Sequence, residues 1–175
     1  RMAVFPMEQE KQKQDHTEDA LKLPADFREE QYLHTVASEK RHELLMAPYG
    51  VSFPVFRTLV YLMQHPDGAA PSQIADDLMI LRQSMTNIVD SLEKQSLVER
   101  SAHPNDRRRI IVRLLPKGLS LARTLFQIEN DYTQRIYRHF TKQELEDYYR
   151  LMRKMHEAKE LELNQILKEY EAGHV

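Results

Sequence analysis

The chain has 175 residues, a formal net charge of −2, 41% hydrophobic and 30% charged residues, and no cysteine. That length suits one domain, and the missing thiols exclude disulfides, thiolate metal sites and cysteine redox chemistry, as expected of a cytoplasmic protein. The near-neutral charge excludes a uniformly basic nucleic-acid coat, so any contact with phosphate must come from local clusters of Arg and Lys.

Only four glycines and no tryptophan occur, and the abundance of Leu, Glu, Lys, Arg and Gln favours helix. No run is long and apolar enough for a membrane span or a secretory leader, so no membrane partner is expected. Residues 1–25 read as a polar N-terminal arm, with Met7 to Ala20 rich in Glu, Gln, Lys and Asp and poor in apolar periodicity. Asp26 is an N-cap for a helix on which Phe27, Leu33, Val36, Ala37, Leu44 and Leu45 fall at mostly helical spacings. Ala47-Pro48-Tyr49-Gly50 breaks it.

A second helix begins at Ser52, tolerates Pro54 in its first turn and carries Val55, Leu59, Leu62 and Met63. His65-Pro66-Asp67-Gly68 stops it. Pro71-Ser72 opens a short helix with Ile74, Ala75 and Leu78, and after a brief turn another runs from Arg82 to Gln95, burying Met85, Ile88, Val89 and Leu92. The period then becomes extended. Leu97–Ala102 and the β-branched stretch Ile110–Leu115 can pair as strands, with the polar His103–Arg109 segment as the hairpin tip. Pro116 ends the second strand. Two long helices follow, over 117–139 and 142–170, the second opened by the capping box Thr141-Lys142-Gln143-Glu144. Leu145, Tyr148, Met152, Met155, Leu163, Ile166 and Tyr170 mark an apolar stripe on that last helix.

A helix-turn-helix needs a short helix, a tight turn and a second helix with a face free to enter a major groove. Residues 72–95 supply it, with Ala75 small where the helices approach. Arg82, Gln83, Ser84, Thr86, Asn87, Asp90 and Ser91 are left unused by packing on the second helix. Arg, Gln and Asn pair bidentately with guanine or adenine edges. Ser72 and Lys94 stand where phosphates could be met. The three arginines Arg107, Arg108 and Arg109 follow directly at the hairpin, where a narrow minor groove attracts guanidinium. Residues 82–113 carry seven Lys/Arg against four Asp/Glu, a local excess of positive charge in a slightly acidic chain.

From Tyr49-Gly50-Val51-Ser52 through Ser72-Gln73-Ile74-Ala75-Asp76-Asp77-Leu78, Val89-Asp90-Ser91-Leu92-Glu93-Lys94 and Leu97-Val98-Glu99-Arg100 to His103-Pro104-Asn105-Asp106-Arg107-Arg108, the sequence resembles the MarR family of winged helix-turn-helix regulators. The Asp-Arg-Arg wing, its β-branched strand and the Pro116-Lys117-Gly118 helix start are the most specific part. Two places depart from the family pattern. Met79-Ile80-Leu81 stands where Gly, an aliphatic residue and a Ser or Thr N-cap are common, and Gln95-Ser96 replaces a common Lys-Gly.

The resemblance implies a mainly α fold with a small β-hairpin wing. It implies an N-terminal dimerisation helix over 26–50, a DNA-binding domain over 51–116 and C-terminal dimerisation helices over 117–175. It also implies a homodimer that binds a pseudo-palindromic operator in double-stranded DNA, as a repressor released by a small molecule. Tyr32, His34, Arg41, His42, Phe53, Phe56, Arg57, Phe126, Tyr132 and Tyr137 fall on the helices around the family's usual ligand cleft, a set suited to an aromatic carboxylate or phenol. Taken singly, most such aromatics are core.

No cofactor and no metal site are expected. His34 and His42 stand two helical turns apart and no HxxxH or HExxH occurs. Nor is there a phosphate-cradling glycine loop or a nucleophile elbow, so the chain reads as a non-enzyme. A helical adaptor that binds only protein is the alternative, and it leaves the arginine-bearing hairpin unexplained.

Overall fold

The computed structural model describes residues 27–103 and 106–173, with the side chains of residues 27–28, 103 and 106–108 left aside. The polar arm over 1–25 lies outside them. The elements run α1 (Phe27–Met46), a 3-10 turn (Ala47–Tyr49), α2 (Phe53–Gln64), α3 (Pro71–Leu78), α4 (Arg82–Lys94), β1 (Val98–His103), β2 (Asp106–Leu114), α5 (Pro116–Tyr137) and α6 (Lys142–Glu171). This is the expected mainly helical winged helix-turn-helix. The described residues divide into two compact units, one ending at Arg41 and the other beginning at His42. None of the helices, among the described residues, is long and apolar enough to cross a membrane.

Local chemistry sets the boundaries. Pro54, Pro71 and Pro116 each occupy the first turn of a helix, where the missing N–H costs nothing. Gly50 takes the left-handed conformation that closes the 3-10 turn. The Thr141 hydroxyl accepts the Glu144 N–H at 3.2 Å while the Glu144 carboxylate accepts the Thr141 N–H at 2.7 Å, which completes the expected capping box. Those bonds hold the Glu144 carboxyl below its ordinary range, the Thr141 backbone N–H first and its hydroxyl second.

The core of the second unit gathers Phe56, Leu59 and Leu62 of α2, Ile74 and Ala75 of α3, Met85, Val89 and Leu92 of α4, Val98 and Val112 of the hairpin, and Ala122 and Leu125 of α5. Ile88, expected to be buried with them, is half-buried at the margin. Gly118 lets α5 start hard against the hairpin, since a Cβ there would stand 1.9 Å from the Leu97 carbonyl oxygen.

The hairpin differs from expectation at its tip. Its register runs Val98↔Leu114 through Ala102↔Ile110 as read from the sequence, and then continues to His103↔Asp106 after an irregularity. Residues 106–109 are therefore part of strand β2. One further pair, His103↔Asp106, prolongs the ladder, and residues 107–109 stand at the irregularity between it and Ala102↔Ile110. Ala69 adds a further antiparallel bridge to Val112, with N–H···O distances of 3.1 and 2.8 Å.

Candidate nucleic-acid interface

Helix α3 is seated before α4 can present anything. The Tyr61 hydroxyl of α2 donates to the Asp77 carboxylate of α3 at 2.5 Å, and its ring stacks on His65 with centroids 4.0 Å apart. Burial first, then the bond to Asp77, pushes the Tyr61 phenol up to about 12. A left-handed Met79 then ends α3, its N–H donating to the Asp76 carbonyl at 3.2 Å. Leu81 occupies the N-cap of α4 and gives no side-chain hydrogen bond, as its apolar side chain requires.

Helix α4 is sharply two-sided. Met85, Val89 and Leu92 are buried, while Arg82, Gln83, Ser84, Thr86 and Asn87 are exposed. Gln83, Ser84 and Asn87 have no side-chain partner among the described residues. Thr86 donates back to the Arg82 carbonyl at 3.1 Å. The Arg82 guanidinium pairs with Asp76 across the turn, with Nη2 2.9 Å from Oδ2, and that bond raises its pKa. Arg82 is therefore positioned by α3 rather than left to wander.

Asp90 does not belong to the open face. Arg100 of β1 reaches over α4 and pairs with both Asp90 and Glu93, and its backbone N–H donates to Glu93 at 3.2 Å. Burial alone would lower the Arg100 pKa, and its bonds to the two carboxylates outweigh that. This triad fastens the hairpin to the second helix. Periodicity had left Asp90 among the free residues, because nothing local links a helix position to a strand ten residues later.

Ser72, in the first turn of α3, and Lys94, in the last turn of α4, are both exposed. Arg109 is exposed on β2. Arg107 and Arg108 lie on the same strand rather than in a turn, and their side chains lie outside the described ones. Lys117 donates to the Gln95 carbonyl at 3.0 Å and satisfies the end of α4. Ser96, where Gly is common, adopts φ 57.

Part of the aromatic set is brought together within the second unit. His42 lies 4.7 Å from the Phe53 ring and 6.2 Å, edge-on, from Tyr132. Phe56 stacks 6.1 Å from Phe53, and the Arg57 guanidinium sits 5.9 Å over the Phe53 ring. His42 Nε2 is 3.9 Å from Glu129 Oε1, which accepts the Thr133 hydroxyl at 2.9 Å. Phe126 and Tyr137 of α5 are exposed and take no part in these ring contacts. Tyr32, His34 and Arg41 belong to the first unit, where each is exposed. No group of three His, Asp or Glu side chains that could hold a metal ion occurs among the described residues.

Comparison with known proteins agrees with this geometry. Residues 49–109 match the model of the MarR family. The HTH-type transcriptional regulator YsmB of Bacillus subtilis is 26% identical over 129 residues, 73% of this chain and 87% of that protein. The HTH-type transcriptional regulator PapX of Escherichia coli is 28% identical over 108 residues, 61% of this chain and 66% of that one. Among solved structures, the S. aureus MepR–DNA complex is similar with a TM-score of 0.69 and 20% identity, covering 75% of this chain and 97% of that one. At that identity the likeness speaks for the fold. The curated relatives are regulators, not enzymes.

Proposed function

We propose that the chain, whose residues 49–109 match the MarR family, is a homodimeric, sequence-specific DNA-binding transcriptional repressor of that family's winged helix-turn-helix type, released by a small aromatic or phenolic effector. The observation that carries the reading is the division of α4, with polar Gln83, Ser84, Thr86 and Asn87 outward and Met85, Val89 and Leu92 inward. Such a helix can enter a major groove without exposing its core, and its Gln and Asn side chains match adenine edges. Arg82, held by Asp76, joins them at the leading end. Ser72 and Lys94 meet phosphates, and Arg107, Arg108 and Arg109 approach the minor groove and backbone from the hairpin.

Residues 51–116 supply the DNA-binding domain, and the segments over 26–50 and 117–175 supply the dimer interface. α6 supports this reading, since it has no buried residue and keeps Tyr148, Met152, Met155, Leu163, Ile166 and Tyr170 exposed. Two-fold symmetry then places two copies of α4 roughly 34–36 Å apart on a pseudo-palindrome. For the effector, the cluster of His42, Phe53, Phe56, Arg57 and Tyr132 offers ring faces beside a cation.

Selection of bound DNA from a random-sequence pool, then titration of the selected site at several salt concentrations, tests the reading. A near-palindrome with a steep salt slope is expected. Asn87→Ala should relax base preference at one position in each half-site, by about 1–3 kcal/mol. A pool that yields no site would sink the reading and favour the protein-binding adaptor.

A further inference from the structure

The two most exposed large hydrophobic side chains among the described residues sit one residue apart, in the turn between α3 and α4. They are Met79, 85% exposed, and Leu81, 77% exposed. The turn is not loose. Ile80 N–H donates to the Ala75 carbonyl at 2.9 Å, the Leu81 carbonyl accepts Met85 N–H at 2.9 Å, and Ile80 itself packs against the core. A backbone pinned on both sides thus turns Ile80 inward and holds its two neighbours outward.

Each exposed residue also displaces a locally better one. Met79 takes φ 53, a left-handed conformation that suits Gly or Asn. Leu81 fills an N-cap where Ser, Thr, Asp or Asn would bond an otherwise orphaned N–H of α4. Two local stabilisations are given up, and the apolar surface obtained lies directly beside Arg82, Gln83 and Ser84.

We propose that Leu81, flanked by Met79, reads the C5-methyl group of a thymine in each operator half-site. The inference rests on the DNA-binding reading above. Residues at the N-terminal end of a recognition helix reach base edges. Thymine presents a methyl group in the major groove, and apolar side chains discriminate it by contact. An apolar pair at the leading end of a helix whose other exposed residues are polar therefore fits a thymine better than a purine edge.

The test uses the full chain and the operator recovered by selection. Each thymine is replaced in turn by deoxyuridine, which removes only the methyl group and leaves charge and pairing intact. One thymine per half-site is expected to matter, with affinity falling about fourfold for one replacement and about fifteenfold for both, at an unchanged salt slope. Leu81→Ser restores a helix cap and so keeps the fold, and it should bind the thymine and deoxyuridine operators equally. Tight operator binding that ignores every replacement would overturn the proposal and leave the pair as a surface for a protein partner. So would a Leu81→Ser protein that keeps the parental discrimination. A pool that yields no operator would instead bring down the DNA-binding reading, and this inference with it.

Discussion

Two amphipathic helices of this chain meet opposite fates. In α2 the apolar side, with Phe56, Leu59 and Leu62, is buried with Ala122 and Leu125 of α5 in one core. In α6 a similar three-and-four spacing of Tyr148, Met152, Met155, Leu163, Ile166 and Tyr170 remains exposed along 30 residues. Burial of apolar area is favourable to the same degree per unit area in either place. What differs is who supplies the cover. A stripe covered within the chain contributes to folding, whereas a stripe the chain leaves open contributes only on association.

The largest expected effect lies on the covered side. Leu59→Ala should lower stability by about 2–5 kcal/mol in urea denaturation, because a fully buried side chain leaves a cavity. A loss under 1 kcal/mol would break the comparison by showing that α2 is not seated as described. Gly118→Ala should lose about 1–3 kcal/mol, read as a lowered Tm, since its new Cβ would overlap the Leu97 carbonyl unless α5 shifts.

A smaller effect tests how α3 is held. The raised Tyr61 pKa favours the neutral phenol in the folded chain, so its stabilisation is complete below the ordinary value of 10.0 and is lost as pH rises through about 12. Tyr61→Phe should lose about 1 kcal/mol near neutrality and show a flatter decline between pH 10 and pH 12 than the parent. Identical alkaline profiles would show that the bond to Asp77 contributes nothing.

The smallest effect on folding, and the sharpest test of the contrast, belongs to α6. Met152→Glu combined with Ile166→Glu should change the stability of the DNA-binding unit by no more than about 0.5 kcal/mol while converting a sedimenting dimer to monomer. A parent protein that sediments as a monomer would leave the exposed stripe without the cover proposed for it.

Most of the element order was legible because its signals are local. Proline in a first turn, the Thr141–Glu144 capping box, Gly50 after a helix and the β-branched run Ile110–Val112 each act within about one turn of chain. The open face of α4 was legible for the same reason, since a 3.6-residue period separates Gln83, Ser84 and Asn87 from Met85 and Val89. The withdrawal of Asp90 into a pair with Arg100 was not, because that contact joins a helix to a strand. The arginines at 107–109 look like a turn by polarity alone. The structure instead places them on β2, between the pairs Ala102↔Ile110 and His103↔Asp106.

The sequence by itself thus determined the kinds of element, their order and the polar face that α4 offers. Tertiary structure decided which of those polar residues remain available, how far the hairpin pairs, and why position 118 is Gly. Its means are contacts between residues distant along the chain, such as Tyr61 with Asp77 and Gly118 with Leu97. Periodicity carries no record of such pairs, because a helix or strand pattern states which way a side chain faces and not what it will meet.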